Sequence, residues 1–339
     1  MRSANRGRGG RPMLAVTMGD PAGIGPEVVL GALKSKTVYE RAVPVVIGNL
    51  AVLRRCAETV GMDIRLEAVD EPERTRGEPG LVEVTDIAVP GIESVAPGKV
   101  QAVGGVAADA FIRRACELAL EGRIDAICTA PISKESLRAA GIREIGHTEL
   151  LAKYLNSPDP LTLFVTENMR IFFLSRHLSL REAIDYLTED RLLAMIRRVN
   201  AVMKGLGFLR PRIAVAALNP HASDGGQFGD EEAKIISPAV NRARNERIDV
   251  TGPIGADSVF HQALEGRFDC VISLYHDQGH IAAKTRDFFR TVTATLGLPV
   301  LRTSVDHGTG FDIAWQGKAS SISMEAAILA ACDLLAGAV

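Results

Sequence analysis

The sequence predicts an α/β protein with largely parallel sheets. Short apolar runs alternate along it with helical stretches. Several of those runs are continuously apolar, the mark of strands covered on both faces. Such a βαβα order implies parallel strands joined by right-handed crossovers.

Taken in order, Leu14–Met18, Val43–Ile47, Ile124–Thr129, Ile171–Leu174, Ile213–Leu218 and Cys270–Leu274 read as strands. Val106–Glu121, Arg181–Leu187, Arg191–Leu206, Glu231–Asn245 and Ser323–Ala338 read as helices. The Pro/Gly-rich Glu71–Pro79 and Val89–Gly98 read as surface loops. At 339 residues the chain has room for about two domains. No repeat, low-complexity tract or linker separates them, so intimate or discontinuous domains are expected.

Composition excludes several classes. The balance of 39 basic and 41 acidic residues lacks the basic excess of nucleic-acid proteins. No apolar run reaches the ~18–20 residues of a membrane span, and Asp333 interrupts the nearest candidate, Ala326–Ala338. Five scattered cysteines without a CxxC point away from disulfides and structural zinc, and toward a reducing cytoplasm. The opening MRSANRGRGGR carries four arginines and no apolar segment, so it reads as a disordered tail rather than a secretory signal.

In an open parallel sheet, functional residues collect where strands end. Gly19-Asp20-Pro21-Ala22-Gly23-Ile24-Gly25-Pro26-Glu27 follows the first strand as a tight strand-to-helix turn. It matches neither the dinucleotide fingerprint, since Val28 occupies the third glycine's place, nor a Walker loop. Structural turn and anion loop both remain open there.

Of seven histidines, His177, His221 and His276 sit in polar turns directly after apolar runs. Three imidazoles with an open position make a catalytic divalent-metal site, and Asp277 could orient His276. The alternative is that each histidine caps its own loop. Gly146-His147-Thr148-Glu149 opens a helix and offers a hydroxyl, an imidazole and free N–H groups to an anion. Lys284 and Arg302 suit a substrate carrying phosphate and carboxylate, or are ordinary surface charges. His261 reads as structural.

MGDPAGIGPE, TAPISKESL, GHTELLA, NPHASDGG, GPIGADSVF, YHDQGH and TLGLPVLRTSVDHGTGFDIA occur in this order from about Leu14 to Ala331. Together they resemble the 4-hydroxythreonine-4-phosphate dehydrogenase family of vitamin B6 biosynthesis. The resemblance implies a two-domain, isocitrate-dehydrogenase-like α/β/α fold, with the active site in the interdomain cleft at a homodimer interface. The expected boundaries are a tail at 1–12, a first domain at 13–140 with 290–339, and a second at 141–289. NAD would be bound without the Rossmann fingerprint, through residues that remain unassigned. A divalent ion would sit on His177, His221 and His276: zinc first, with magnesium, cobalt or manganese as alternatives. His147, Thr148, Lys284 and Arg302 match the family's substrate contacts, Thr293 is a further candidate contact, and Lys284 is a candidate proton donor or acceptor.

Two departures bear on the substrate. Thr293 stands where the vitamin B6 enzymes usually carry Asn, and His280 in Asp277-Gln278-Gly279-His280 is a histidine they usually lack. The DQGH motif resembles the branch that oxidises 4-phospho-D-erythronate or 4-phospho-D-threonate. The expected activity is NAD-dependent, metal-dependent oxidation of a phosphorylated hydroxy acid, 4-hydroxythreonine-4-phosphate-like, to a β-keto acid that loses CO₂, with 4-phospho-D-erythronate or 4-phospho-D-threonate as the alternative substrate. The competing classes are a metal-dependent phosphoester hydrolase and a non-catalytic metal- or phosphate-binding protein. No dense Asp/Glu set for a second metal supports hydrolysis.

Overall fold

The structure is a computed structural model and describes residues 10–157 and 159–337. Residues 1–9 of the expected tail, and Ala338 at the end of the expected last helix, lie outside the described residues. The strands are β1 (Met13–Thr17), β2 (Val43–Gly48), β3 (Arg65–Ala68), β4 (Leu81–Asp86), β5 (Ala126–Thr129), β6 (Leu161–Thr166), β7 (Met169–Phe173), β8 (Ile213–Ala216), β9 (Val250–Ile254), β10 (Cys270–Ser273), β11 (Val292–Leu296) and β12 (Leu301–Ser304). The helices are α1 (Gly25–Ala32), α2 (Lys36–Arg41), α3 (Leu50–Thr59), α4 (Ala102–Leu120), α5 (Lys134–Ala139), α6 (His147–Tyr154), α7 (Leu180–Tyr186), α8 (Glu189–Gly205), α9 (Ser237–Asn245), α10 (Ala256–Leu264), α11 (His276–Arg286) and α12 (Ile322–Ala336).

The described residues form two compact units, one of 10–157, 159–160 and 292–336, the other of 161–291 with Gly337. In the first, the strand order is β3-β4-β2-β1-β5-β12-β11. All neighbours are parallel except β11 and β12, which are antiparallel. Helix α4 packs on β1, β2 and β5, and α12 packs on β5, β11 and β12. Leu14, Val16, Val45, Ile47 and Ile127 are fully buried, as strands covered by helices require. Helix α6 belongs to this unit because it packs on α4, where Tyr154 donates a 2.5 Å hydrogen bond to Asp109.

In the second unit the order is β6-β7-β10-β8-β9, parallel except for the β6–β7 pair. Its core includes Phe164, Ile171, Phe173, Ala214, Val259, Phe260 and Val271.

All six expected strands are present, within one or two residues at their ends. Six further strands lack a continuous apolar run. Arg65–Ala68 is a largely exposed edge strand, Val250–Ile254 contains Gly-Pro, and Val292–Leu296 alternates with threonine. The strand-to-helix turn after β1 uses its glycine for packing: a Cβ on Gly25 would stand 2.3 Å from the Met18 carbonyl oxygen.

Candidate active site

In the Leu161–Thr291 unit, the ends of β7, β8 and β10 carry the three candidate metal ligands. His177 lies in the exposed turn after β7. His276 is the first residue of α11 rather than part of a polar turn. The two segments are tied together: Leu174 donates its N–H to the Ser273 carbonyl at 2.8 Å, and the Ser175 hydroxyl donates to the Leu274 carbonyl at 2.9 Å. Their imidazoles face each other with ring centres 6.3 Å apart. Two imidazoles on one tetrahedral ion stand about 5 Å apart by that measure, given bonds of about 2.0–2.1 Å. Asp277 Oδ1 lies 2.6 Å from His276 Nδ1, which leaves Nε2 for a ligand. A carboxylate on the far nitrogen is how metal-ligating histidines are oriented.

The His276 ring is further held by His280, stacked on it at 3.6 Å one turn along α11. His280 in turn lies against Phe164 and Phe173, with ring centres at 4.1 and 4.8 Å. Helix α11 approaches β7 so closely that a Cβ on Gly279 would stand 2.6 Å from the Phe173 ring and 2.8 Å from Ile171.

His221 is held differently. From His221 to Gly225 every residue has positive φ, between 44° and 69°, a left-handed turn. Four of these residues are not glycine, and each pays a steric cost there. The buried Glu232 carboxylate anchors the base of the turn by accepting N–H bonds from Leu218 and Asn219 at 2.9 and 2.7 Å. Gln278 links this region to α11, donating to the Ala217 carbonyl at 2.7 Å while accepting from the Leu274 N–H at 2.8 Å. Among the described residues, no group of three His, Cys, Asp or Glu side chains stands close enough to hold an ion. The structure brings two of the three expected ligands, His177 and His276, face to face, and His221 lies in the left-handed turn after β8.

The unit containing β12 holds a different arrangement. Arg302 sits inside β12 and is 5% exposed, not a surface charge. Its Nε and Nη2 donate to the Thr129 hydroxyl at 3.1 and 2.7 Å, and Nη1 donates to the Thr295 hydroxyl at 3.1 Å. Neither partner carries charge. Burial pulls the guanidinium down to about 10, so it stays protonated at neutral pH. Nearby His147 opens α6 and is held well below the ordinary imidazole range, first by burial and then by the positive charge of Arg302. The Ala130 carbonyl accepts from its ring, while Nε2 is buried with no hydrogen-bond partner. A neutral imidazole with a free Nε2 lone pair accepts from a hydroxyl or an ammonium, whereas the guanidinium beside it attracts an anion.

The other expected residues lie as follows. Thr148 follows His147 at the start of α6. Thr293 lies on β11 opposite Ser304 and donates to Asp306 at 3.4 Å. Lys284 lies on α11 two turns beyond His276, with Nζ 5.4 Å from the Phe288 ring. Sequence reading passed over Thr129, Thr295, Gln278 and Glu232. Thr129 was visible only as the last residue of an apolar strand, and Thr295 only as one of several alternating threonines. All five cysteines are free and buried. No helix among the described residues is long and apolar enough to cross a membrane.

Comparison with known proteins agrees with the sequence motifs. The profile of the family described as pyridoxal phosphate biosynthetic protein PdxA matches residues 40–331. A curated protein of Symbiobacterium thermophilum, named "Putative D-threonate 4-phosphate dehydrogenase", is 52% identical over 94% of this chain and 95% of its own length. The solved structure of 4-hydroxythreonine-4-phosphate dehydrogenase from Klebsiella pneumoniae superposes with a TM-score of 0.89. It shares 43% identity, over 96% of this chain and 99% of that one. A terephthalate 1,2-cis-dihydrodiol dehydrogenase from Burkholderia xenovorans gives a TM-score of 0.63 at 29% identity, over 96% and 97% of the two chains.

Proposed function

The chain belongs to the PdxA family of pyridoxal phosphate biosynthetic proteins, and we propose that within it this enzyme oxidises a phosphorylated hydroxy acid with NAD. It is a dehydrogenase, an oxidoreductase acting on a CH–OH group. The observation that carries the substrate class is Arg302, a buried guanidinium held by hydroxyls alone and so available to an anion. Thr293, His280 and the 52% identical relative favour D-threonate 4-phosphate or its erythronate counterpart over 4-hydroxythreonine 4-phosphate.

In this reading His177, His221 and His276 hold a divalent ion, zinc first. The donor set fits: neutral imidazoles are the right type, His177 and His276 already face each other, and Asp277 orients His276. When bound, such an ion supplies Lewis acidity at the substrate hydroxyl, and a nicotinamide supplies the hydride acceptor. Arg302 binds an anionic group of the substrate, and Thr148 and Thr293 offer hydroxyls to it. His147 Nε2 accepts from a substrate hydroxyl. Lys284 moves a proton. A product with its ketone β to the carboxylate then loses CO₂.

The working form is a homodimer whose subunits share sites. Leu178, Leu180, Ile184 and Tyr186, on and beside α7 just after His177, are 37–58% exposed, and a partner surface would cover them.

The test is NADH formation, followed at 340 nm, from 4-phospho-D-threonate, 4-phospho-D-erythronate and 4-hydroxythreonine 4-phosphate, with products identified by mass spectrometry. Activity should appear with one of the first two, vanish with a chelator and return with zinc. No NADH from any of the three would end the phosphorylated-substrate reading. Mixing inactive His177→Ala and His276→Ala chains tests the shared site: after subunit exchange, activity should return if the two ligands come from different chains.

A further inference from the structure

The surroundings of Arg302 differ from those of the arginines that form ion pairs. Several exposed arginines pair with carboxylates: Arg212 with Asp269 at 2.7 Å, Arg242 with Glu189 at 2.7 Å and Arg286 with Glu167 at 3.0 Å. Those pairs are solvated and contribute little. Arg302 is the one of these four that is buried, where a charge needs a counter-charge most, and it has two neutral hydroxyls instead.

The placement of those hydroxyls follows from strand register. Thr295 lies directly opposite Arg302 on the antiparallel β11–β12 pair. On the other side β5 runs parallel to β12 with Arg302 opposite Ile127, which puts Thr129 two residues on, along the same face of its strand. The guanidinium is thus spanned from both neighbouring strands. An arginine has five N–H donors; three are taken, which leaves one on each terminal nitrogen. Threonine's β-branch restricts its χ1, so each oxygen has a defined position.

We propose that Thr129 and Thr295 are positioning residues: they fix the Arg302 guanidinium with uncharged oxygens, so that its full positive charge and its two remaining N–H groups are kept for an anionic group of the substrate. A carboxylate at either position would hold the side chain equally well but neutralise it, and the pocket would reject phosphate. This rests on the assignment of Arg302 as the substrate's anion contact, and it extends that assignment to two residues that do not themselves need to touch the substrate.

Binding of inorganic phosphate, measured by calorimetry at pH 7 on the full chain, reads the clamp without turnover. Arg302→Met should lose phosphate binding. Thr129→Val should weaken it about tenfold, because the guanidinium loses two charge-assisted bonds that orient it. Thr129→Ser, which keeps the oxygen, should stay within about threefold of wild type. Thr129→Asp should abolish binding without lowering the melting temperature. In the NADH assay Thr129→Val should raise KM about tenfold with kcat changed less than about threefold, and Thr295→Val should move it in the same direction. The proposal is overturned if wild type binds no phosphate, if Thr129→Val or Thr129→Asp binds it as wild type does, or if Thr129→Ser is as damaging as Thr129→Val. Phosphate binding that follows the expected order in a chain making no NADH from phosphorylated hydroxy acids would instead refute the proposed activity and leave the clamp standing.

Discussion

The two units prepare their strand ends in opposite ways. Around Arg302 the groups are buried and already in place: a guanidinium spanned by hydroxyls from two strands, with a neutral imidazole beside it. Around His276 the groups stand exposed at a helix start and in turns; two face each other, and the third sits in a left-handed turn. The difference follows from what each group costs when nothing is bound. A buried guanidinium needs partners before any ligand arrives, and three of the five N–H groups of Arg302 already have them. A neutral imidazole in water costs almost nothing while it waits. A site that binds a rigid anion can be preformed within the sheet, and a site that collects an ion can be assembled from loops.

The largest effect that would sharpen this contrast is His221→Ala. It should abolish NADH formation and leave the melting temperature within about a degree, since an exposed imidazole buries little apolar area. Retained turnover would show that the two facing histidines suffice. Arg302→Met comes next. Losing two charge-assisted bonds of roughly 1.5–3 kcal/mol each should lower kcat/KM about a thousandfold. Urea unfolding should show stability unchanged or raised, because a buried charge without a counter-charge has been removed. A chain that fails to fold would mean the arginine serves the core rather than the ligand.

Gly279→Ala probes the histidine side through its support. The new methyl meets Phe173 and Ile171, and overpacking of this kind costs about 1–3 kcal/mol. It should move α11, carrying His276, and lower metal affinity measured by calorimetry. Full metal affinity at reduced stability would separate the helix from the site.

The pH dependence tests the other side. His147 titrates below its unfolded value of 6.5. As pH falls below 6.5 the unfolded chain takes up a proton that the folded chain refuses, so stability falls by up to about 1.4 kcal/mol per pH unit. Urea midpoints between pH 7.5 and 5.5 should show this slope in wild type and a shallower one in His147→Gln. Equal slopes would mean His147 is free to protonate. The smallest effect is Ala222→Gly. Ala222 has φ 53° and ψ 48°, and glycine relieves a cost of about 1–2 kcal/mol there against its own larger chain entropy. Stability should rise by about 0.5–1 kcal/mol; a decrease would mean that the left-handed turn is not the resting state of the loop.

Local pattern was enough for much of this molecule. Continuous apolar runs marked β1, β2, β5, β7, β8 and β10, because strands buried on both faces leave no polar alternation to confuse them. The runs also told where strands end, and so where His177, His221 and His276 belong. The motifs from Leu14 to Ala331 carried the family. The tertiary structure decided what depends on register between strands distant in sequence. That Arg302 lies between Thr129, 173 residues away, and Thr295 is a consequence of β12 inserting beside β5. No spacing along the chain announces it. The same holds for Gln278 reaching the Ala217 carbonyl and for Gly279 letting α11 approach Phe173. The sign of φ at His221 is likewise set by the anchored turn around it, since histidine, alanine, serine and aspartate have no local reason to run left-handed together.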